Sequence, residues 1–161
     1  MIIKNQKELN EIVPLKHLTF SDIRCKHCGT FELNQKRLIF LMLIEHFQNR
    51  YGKQKINSFY RCPTHQINIK KQELGKKTLT KQEEQSALNS GHCLGLAIDI
   101  GTNDPKKLLQ QGIEFDEFLG LGIYPWGCHF DIKSRKAFWQ SAGGKYTYYG
   151  TAKHLLEALI K

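Results

Sequence analysis

Apolar and polar positions fall along this chain in blocks of differing period, and those blocks predict a mixed α and β architecture. From Asn34 to Tyr51 the run NQKRLIFLMLIEHFQNRY contains no Gly or Pro and is rich in helix formers. Because it is apolar almost all round between Leu38 and Leu43, it predicts a helix buried in the middle of the domain. Lys55 to Tyr60 predicts a short strand that runs into a loop at Arg61-Cys62-Pro63, since proline cannot continue a central ladder. Gln66 to Asn89 is rich in Lys, Gln and Glu with few large apolar groups, which predicts an exposed excursion with one helical turn near Lys81 to Gln85. Leu94 to Gly101 is a mostly apolar run between turn residues and predicts a buried strand. Asp104 as cap and Pro105 at the first helical position predict a helix through Gln111. Phe118 to Tyr124 and Cys128 to Lys133 predict two strands joined by the Pro125-Trp126-Gly127 turn, and Thr151 to Lys161 predicts a closing amphipathic helix. No repeat or low-complexity tract interrupts the 161 residues, so a single domain over 1–161 is expected.

Charge narrows the partners. Lys and Arg number 24 against 15 acidic residues, a formal charge of +9, which suits an anionic polymer such as a cell-wall polymer, nucleic acid or an anionic lipid surface. The Lys residues are scattered and no nucleic-acid reader motif occurs, so a nucleic-acid partner is not expected. The N-terminus, MIIKNQKE, is polar within four residues and lacks the apolar run of a signal peptide or a membrane span. A soluble monomer without its own export signal is the expectation. Five cysteines cannot all pair within one chain, which favours free thiols or a metal role.

Candidate chemistry lies in two short runs. In Ser90-Gly91-His92-Cys93-Leu94-Gly95-Leu96-Ala97-Ile98-Asp99 a histidine precedes the buried strand and an aspartate lies inside it. A carboxylate among Ile98 and Ile100 needs a cation or firm hydrogen bonds to stay ionised. In Cys128-His129-Phe130-Asp131-Ile132 the period of two puts His129 and Asp131 on one face and Phe130 and Ile132 on the other, with Cys128 facing away from His129. Spacing alone leaves two readings open. His92 is either a turn histidine or a metal ligand, and the His129–Asp131 face is either solvated or part of a metal site.

A family resemblance bears on that choice. The run SGHCLGLAID resembles the Ser-x-His-x-x-Gly-x-Ala-x-Asp signature of the zinc D-Ala-D-Ala carboxypeptidases, peptidoglycan peptidases that share their fold with the Hedgehog signalling domain. GLGIYPWGCHFDIK is similar to that family's Gly-x-Gly-x-Tyr segment followed by His-x-Asp, and Trp139 to the Trp that often follows. SFYRCP is similar to its Ser-Gly-Tyr-Arg-x-Pro. The resemblance runs from about Phe20 to Trp139. It implies an α+β domain with a small, largely antiparallel sheet carrying the ligands and helices packed on it. It also implies zinc held by His92, Asp99 and His129, with an open fourth position for water. Arg61 is implied as the partner of a substrate carboxylate, a role its guanidinium fork suits, with Ser90 and Tyr124 as further substrate contacts.

The implied activity is hydrolysis of peptidoglycan stem peptides, as a D,D-carboxypeptidase or as an endopeptidase such as a phage-type endolysin. This chain departs from the pattern in three places. Trp126 stands where some relatives carry a Glu, Phe59 replaces the usual Gly, and the stretch from Cys62 to Ser90 is longer and more cationic. Asp131 is then a candidate general base, or a carboxylate that orients a ligand. A non-catalytic zinc-stabilised binding module is the alternative. Cys25-Lys26-His27-Cys28 has knuckle spacing, and relatives often carry such a pair with a Cys at the position of Cys62. The three are either unligated thiols or a second metal cluster with His27 or His65.

Overall fold

A computed structural model of the chain describes residues 1–159, and its layering follows from where apolar side chains can be buried. In chain order the elements are β1 (Ile2–Ile3), α1 (Gln6–Ile12), α2 (Phe20–Ile23), β2 (Phe31–Glu32), α3 (Gln35–Tyr51), β3 (Lys55–Ser58), α4 (Pro63–Leu74), α5 (Lys81–Leu88), α6 (Gly91–Leu94), β4 (Ala97–Gly101), α7 (Pro105–Ile113), β5 (Gly120–Tyr124), β6 (Gly127–Asp131), β7 (Ala137–Ala142), β8 (Lys145–Tyr149) and α8 (Ala152–Ala158). The class is α+β. A six-stranded mixed sheet runs in the order β3-β4-β6-β5-β7-β8, beside a two-stranded β1-β2 ribbon. Within the large sheet β5–β7 is parallel and the other four pairings are antiparallel.

The two sheet faces have opposite character because side chains alternate along each strand. Ile98, Ile100 and Phe130 are fully buried on one face. Phe47 of α3 meets Phe130 there with ring centroids 5.6 Å apart, and Phe40 meets Phe59 at 5.3 Å. The opposite face carries Asp99, His129 and Asp131, as the period of two requires. Helix α3 does not lie buried all round as its composition suggests. Phe40, Leu41, Ile44 and Phe47 are inaccessible, whereas Ile39 and Met42 are more than half exposed. The helix packs on the sheet by one stripe, so its apolar outer side stays in solvent.

The stretch from Gln66 to Asn89 also differs from expectation, being two helices rather than an exposed excursion with one turn. Pro63 starts α4 at its first turn, and Gly75 ends it with a left-handed φ of 63°. Thr80 and Glu83 form a reciprocal capping box for α5. Both helices are nearly without buried apolar side chains, so their hydrophobic periodicity is weak. Local start and stop chemistry defines them instead. Elsewhere the strand expected from Leu94 begins at Ala97, because Gly91–Leu94 is a helical turn. Strands β7 and β8 had no counterpart in the pattern. Helix α8 falls within the run expected to be helical, whose last two residues lie outside the described ones.

Arg37 ties α3 to the segment that carries His92. It is 7 % exposed, and its guanidinium donates from Nε to the Leu94 carbonyl (2.9 Å), from Nη2 to that of Cys93 (3.3 Å) and from Nη1 to that of Glu32. The same group lies 4.8 Å from the centre of the Tyr60 ring. Removing it leaves the α6 carbonyls without donors. Arg37→Met should lower stability by about 1–3 kcal/mol, the usual cost of stranding buried acceptors. Urea unfolding checks this, and an unchanged midpoint would show that the α6 turn does not depend on Arg37.

Candidate metal centre

The local folding of three segments brings His92, Asp99 and His129 together. Ser90 caps α6, its Oγ accepting from the Cys93 N–H at 3.2 Å, and so fixes the turn that presents His92. Asp99 sits in mid-β4 and is paired in register with His129 of β6. One donor atom from each of the three lies within 4.8 Å of the others, so the group could hold a metal ion.

Protonation makes the case for a cation at this point. His92 Nδ1 is 2.7 Å from the Phe59 carbonyl oxygen, which can only accept, so the ring proton sits on Nδ1. Burial holds His92 below its ordinary pKa despite Asp99, which keeps the ring neutral. Its bare Nε2 then faces Asp99 Oδ2 at 3.1 Å, two acceptors with no proton between them. A divalent ion would relieve that contact. Asp99 itself stays ionised: burial pushes its pKa up, but the hydrogen bond and charge of His129 hold it below the ordinary carboxylate range. The donor set, two imidazoles and one carboxylate, therefore fits a metal.

His129 is held between two carboxylates. Its Nδ1 lies 2.9 Å from Asp99 Oδ1 and its Nε2 lies 3.2 Å from Asp131 Oδ2. Burial disfavours the imidazolium, but hydrogen bonds to Asp131 and Asp99 and their charges outweigh it, pushing the pKa up to about 9 without a metal. Asp131 has both oxygens engaged, since Oδ1 accepts from the Lys133 N–H at 3.0 Å. The arrangement is that of a carboxylate orienting a histidine through the nitrogen away from the ligand position.

Two glycines in the Gly-x-Gly-x-Tyr run make room for this. A Cβ on Gly120 would lie 2.2 Å from Asp131 Oδ2, and one on Gly122 would lie 2.3 Å from the Trp139 ring. The strand opposite the histidine must be bare. Trp139 crosses Gly122 to within 5.2 Å of the His129 ring and donates its Nε1–H to Tyr124 Oη at 3.0 Å. Burial pushes the Tyr124 hydroxyl well above its ordinary pKa, so it remains a donor at the cleft wall.

Arg61 reaches the same centre. Its Nη2 is 3.1 Å from Asp99 Oδ2, its Nε 3.0 Å from Ser58 Oγ and its Nη1 3.3 Å from Gln66 Oε1. A guanidinium has about five N–H donors, so two remain for a ligand. An open cleft of about 620 Å³ runs past the centre, with Ser90, Tyr124 and His129 in its wall. Glu73 of α4 lines this cleft and also the smaller cavity formed by Arg61, His92, Asp99 and His129. Its side chain is about half exposed and pairs loosely with Lys70 at 3.5 Å. Sequence reasoning missed Glu73, Gln66 and Arg37. The Cys62-Pro63 start was the available signal for α4, which supplies the first two. Trp126 stacks on Tyr124 with ring centroids 4.7 Å apart.

The cysteines separate by environment. Cys128 is fully buried facing away from His129, and Cys93 is buried beside Arg37. Cys25, Cys28 and Cys62 bring their sulfurs within 4.8 Å of one another. All five are free thiols. No helix among the described residues is long and apolar enough to cross a membrane. Comparisons with protein-family models, curated proteins and solved structures found no significant match to this chain.

The charge on His129 makes two pH effects of opposite sign. Without metal, its contribution to stability is complete below the unfolded value of about 6.5 and is lost as the pH rises through about 9. Metal affinity should rise over the same window, because the Nδ1 proton must leave before that nitrogen can ligate. Urea midpoints of the chelated protein at both ends, together with metal titrations, check both signs. A midpoint that climbs with pH would refute the charged imidazole.

Proposed function

We propose that this protein is a zinc-dependent peptidase that hydrolyses peptide bonds in bacterial peptidoglycan stem peptides, as a D,D-carboxypeptidase or an endopeptidase of the Hedgehog/DD-peptidase fold. The observation that carries the reading is the neutral His92 Nε2 facing the ionised Asp99 beside His129, at the edge of an open cleft. The motif resemblance supports it, since the residues it nominates as ligands are those that converge. Lys70, Lys133 and Arg135 line the cleft, and with a formal charge of +9 they favour an anionic wall polymer, as for a phage-type endolysin.

His92, Asp99 and His129 would hold the zinc, which when bound supplies Lewis acidity to activate water and polarise the scissile carbonyl. Asp131 keeps His129 in the orientation and tautomer that offer Nδ1. Glu73 takes the general-base role, because Asp99 and Asp131 have their oxygens occupied and Glu73 is the remaining carboxylate along the cleft walls among the described residues. Arg61 uses its two unengaged N–H groups to receive a substrate carboxylate or carbonyl, and Tyr124 donates its hydroxyl proton to the peptide. Ser90 borders the cleft while its hydroxyl caps α6.

A second reading is a non-catalytic, zinc-stabilised binding module of the same fold. It is favoured by Trp126, which puts an aromatic platform beside the centre where some relatives have a Glu.

Digestion of purified peptidoglycan, followed by mass spectrometry of the fragments, separates the two. Stem-peptide cleavage that stops with chelator and returns with zinc is expected. Binding to the wall without any new peptide terminus would leave only the module. Within the enzyme reading, Glu73→Gln should lower turnover about 10²-fold or more with zinc retained. Asp131→Asn should instead weaken zinc about 10- to 100-fold, with activity recovering as metal is added. If Glu73→Gln is fully active while Asp131→Asn is dead at saturating zinc, the base is Asp131.

A further inference from the structure

Three thiols and one imidazole stand together on the far side of Arg61, outside the centre described above. The first pair comes from the turn after α2: the Gly29 N–H closes it on the Cys25 carbonyl at 2.9 Å, and the His27 N–H points at Cys25 Sγ at 3.4 Å. The second pair comes from the start of α4, where Cys62 is the residue before the first turn and His65 follows three positions later. A separation of three residues at a helix start places both side chains on one face. The two halves are thus Cys25-x-x-Cys28 and Cys62-x-x-His65. A search of the sequence for a second Cys-x-x-Cys overlooks this pattern, because the second half ends in histidine.

We propose that Cys25, Cys28, Cys62 and His65 form a second metal site, a closed four-ligand zinc site of structural type. The three sulfurs lie within 4.8 Å of one another, and His65 Nδ1 is 3.3 Å from Cys25 Sγ. Zinc at about 2.3 Å from sulfur and about 2.0–2.1 Å from nitrogen sets donor separations of roughly 3.5–3.8 Å in a tetrahedron. The His65–Cys25 contact stands on that scale, and the three sulfurs are gathered within 4.8 Å of one another. Cys25 Sγ also receives backbone N–H groups from His27 and from Cys62 at 3.3 Å, which suit a sulfur that carries negative charge. His65 is the fourth ligand rather than His27, since His65 Nδ1 reaches Cys25 Sγ and His27 is exposed with its ring centroid 6.0 Å from that of His65.

A closed site has no position for water or substrate, so its work is mechanical. It clamps the α2–β2 turn to the junction of β3 and α4, adding to the packing of Phe31 on Phe59 and Tyr60 and to the hydrogen bonds from the Tyr60 N–H to the Ile23 carbonyl (3.4 Å) and from Lys26 Nζ to the Asn57 carbonyl (2.6 Å). Arg61 is the residue immediately before Cys62. The site therefore fixes the backbone from which Arg61 reaches Asp99, and the proposal holds whether or not the protein is a peptidase.

Metal counting tests it without any catalytic readout. Protein refolded with excess zinc and desalted should carry two zinc ions, and the His92→Ala/His129→Ala protein should keep one. Cobalt loaded into that double variant should give the intense thiolate-to-metal charge-transfer band and the visible bands of a tetrahedral site. Cys25→Ser/Cys28→Ser should abolish that signal and lower the thermal midpoint, and His65→Cys should restore what His65→Ala weakens. If the cysteine variants do not fold, the cobalt spectrum of His92→Ala/His129→Ala alone decides. A double variant that holds no metal, a cobalt spectrum without thiolate bands, or only three titratable thiols in the denatured, unreduced protein would each overturn the proposal, the last by revealing a disulfide.

Discussion

An ionised carboxylate inside a protein must be met by cations, hydrogen-bond donors or a metal, and the arrangement around Asp99 follows from that demand. Taking such a group out of water costs several kcal/mol even after relaxation. Asp99 is 13 % exposed in its side chain, and Arg61, His92 and His129 all direct nitrogen atoms at its two oxygens. Three separate segments must therefore be held to within a fraction of an ångström: the loop after β3, the α6 turn and strand β6. Much of the packing on this side of the sheet is the means of holding them.

Each support answers one geometric need. The β4–β6 register sets Asp99 opposite His129 by backbone hydrogen bonds alone. The Phe59 carbonyl selects the tautomer of His92, and Asp131 does the same from the outer side of His129. Gly120 and Gly122 clear the neighbouring strand so that Asp131 and Trp139 can lie across it. Arg37 carries the constraint to the other face, tying the α6 carbonyls to α3 and thereby to the aromatic core around Phe47. The core and the centre are two sides of one sheet, joined by the alternation of side chains along β4 and β6.

The cleft side is built differently. Helices α4 and α5 bury few apolar groups and are defined by caps, so they depend on the rest of the molecule for position. They nonetheless supply Gln66 to Arg61 and bring Glu73 to the open side of the centre. The convergent His92, Asp99 and His129 thus stand beside a less deeply packed wall. Lys70 on this wall and Lys133 and Arg135 elsewhere along the cleft give it a basic lining.

Elements with a strong local signature were legible in the sequence. Helix α3 follows from an uninterrupted run of helix formers, and β4, β5 and β6 follow from apolar runs between turn residues. His92, Asp99 and His129 could be nominated because each lies in a short motif, and the period of two put His129 and Asp131 on one face before any fold was known. What the sequence did not disclose depends on contacts between distant segments. Helix α4 reads as a loop because it has almost no apolar stripe, so Glu73 had no reason to be placed at the centre. Arg37 looks like one more surface cation on a helix, and only the approach of α6 makes it a buried donor to two carbonyls. The sequence left Cys25, Cys28 and Cys62 open as thiols or as a metal cluster with His27 or His65, and it is the return of β3 to the α2 turn that gathers the sulfurs and puts His65 against Cys25. Local propensity and period act over a few residues, and they fixed elements and faces. The pairing of charges, thiols and carbonyls across some 30 to 60 residues is decided by packing, which exists only in the tertiary structure.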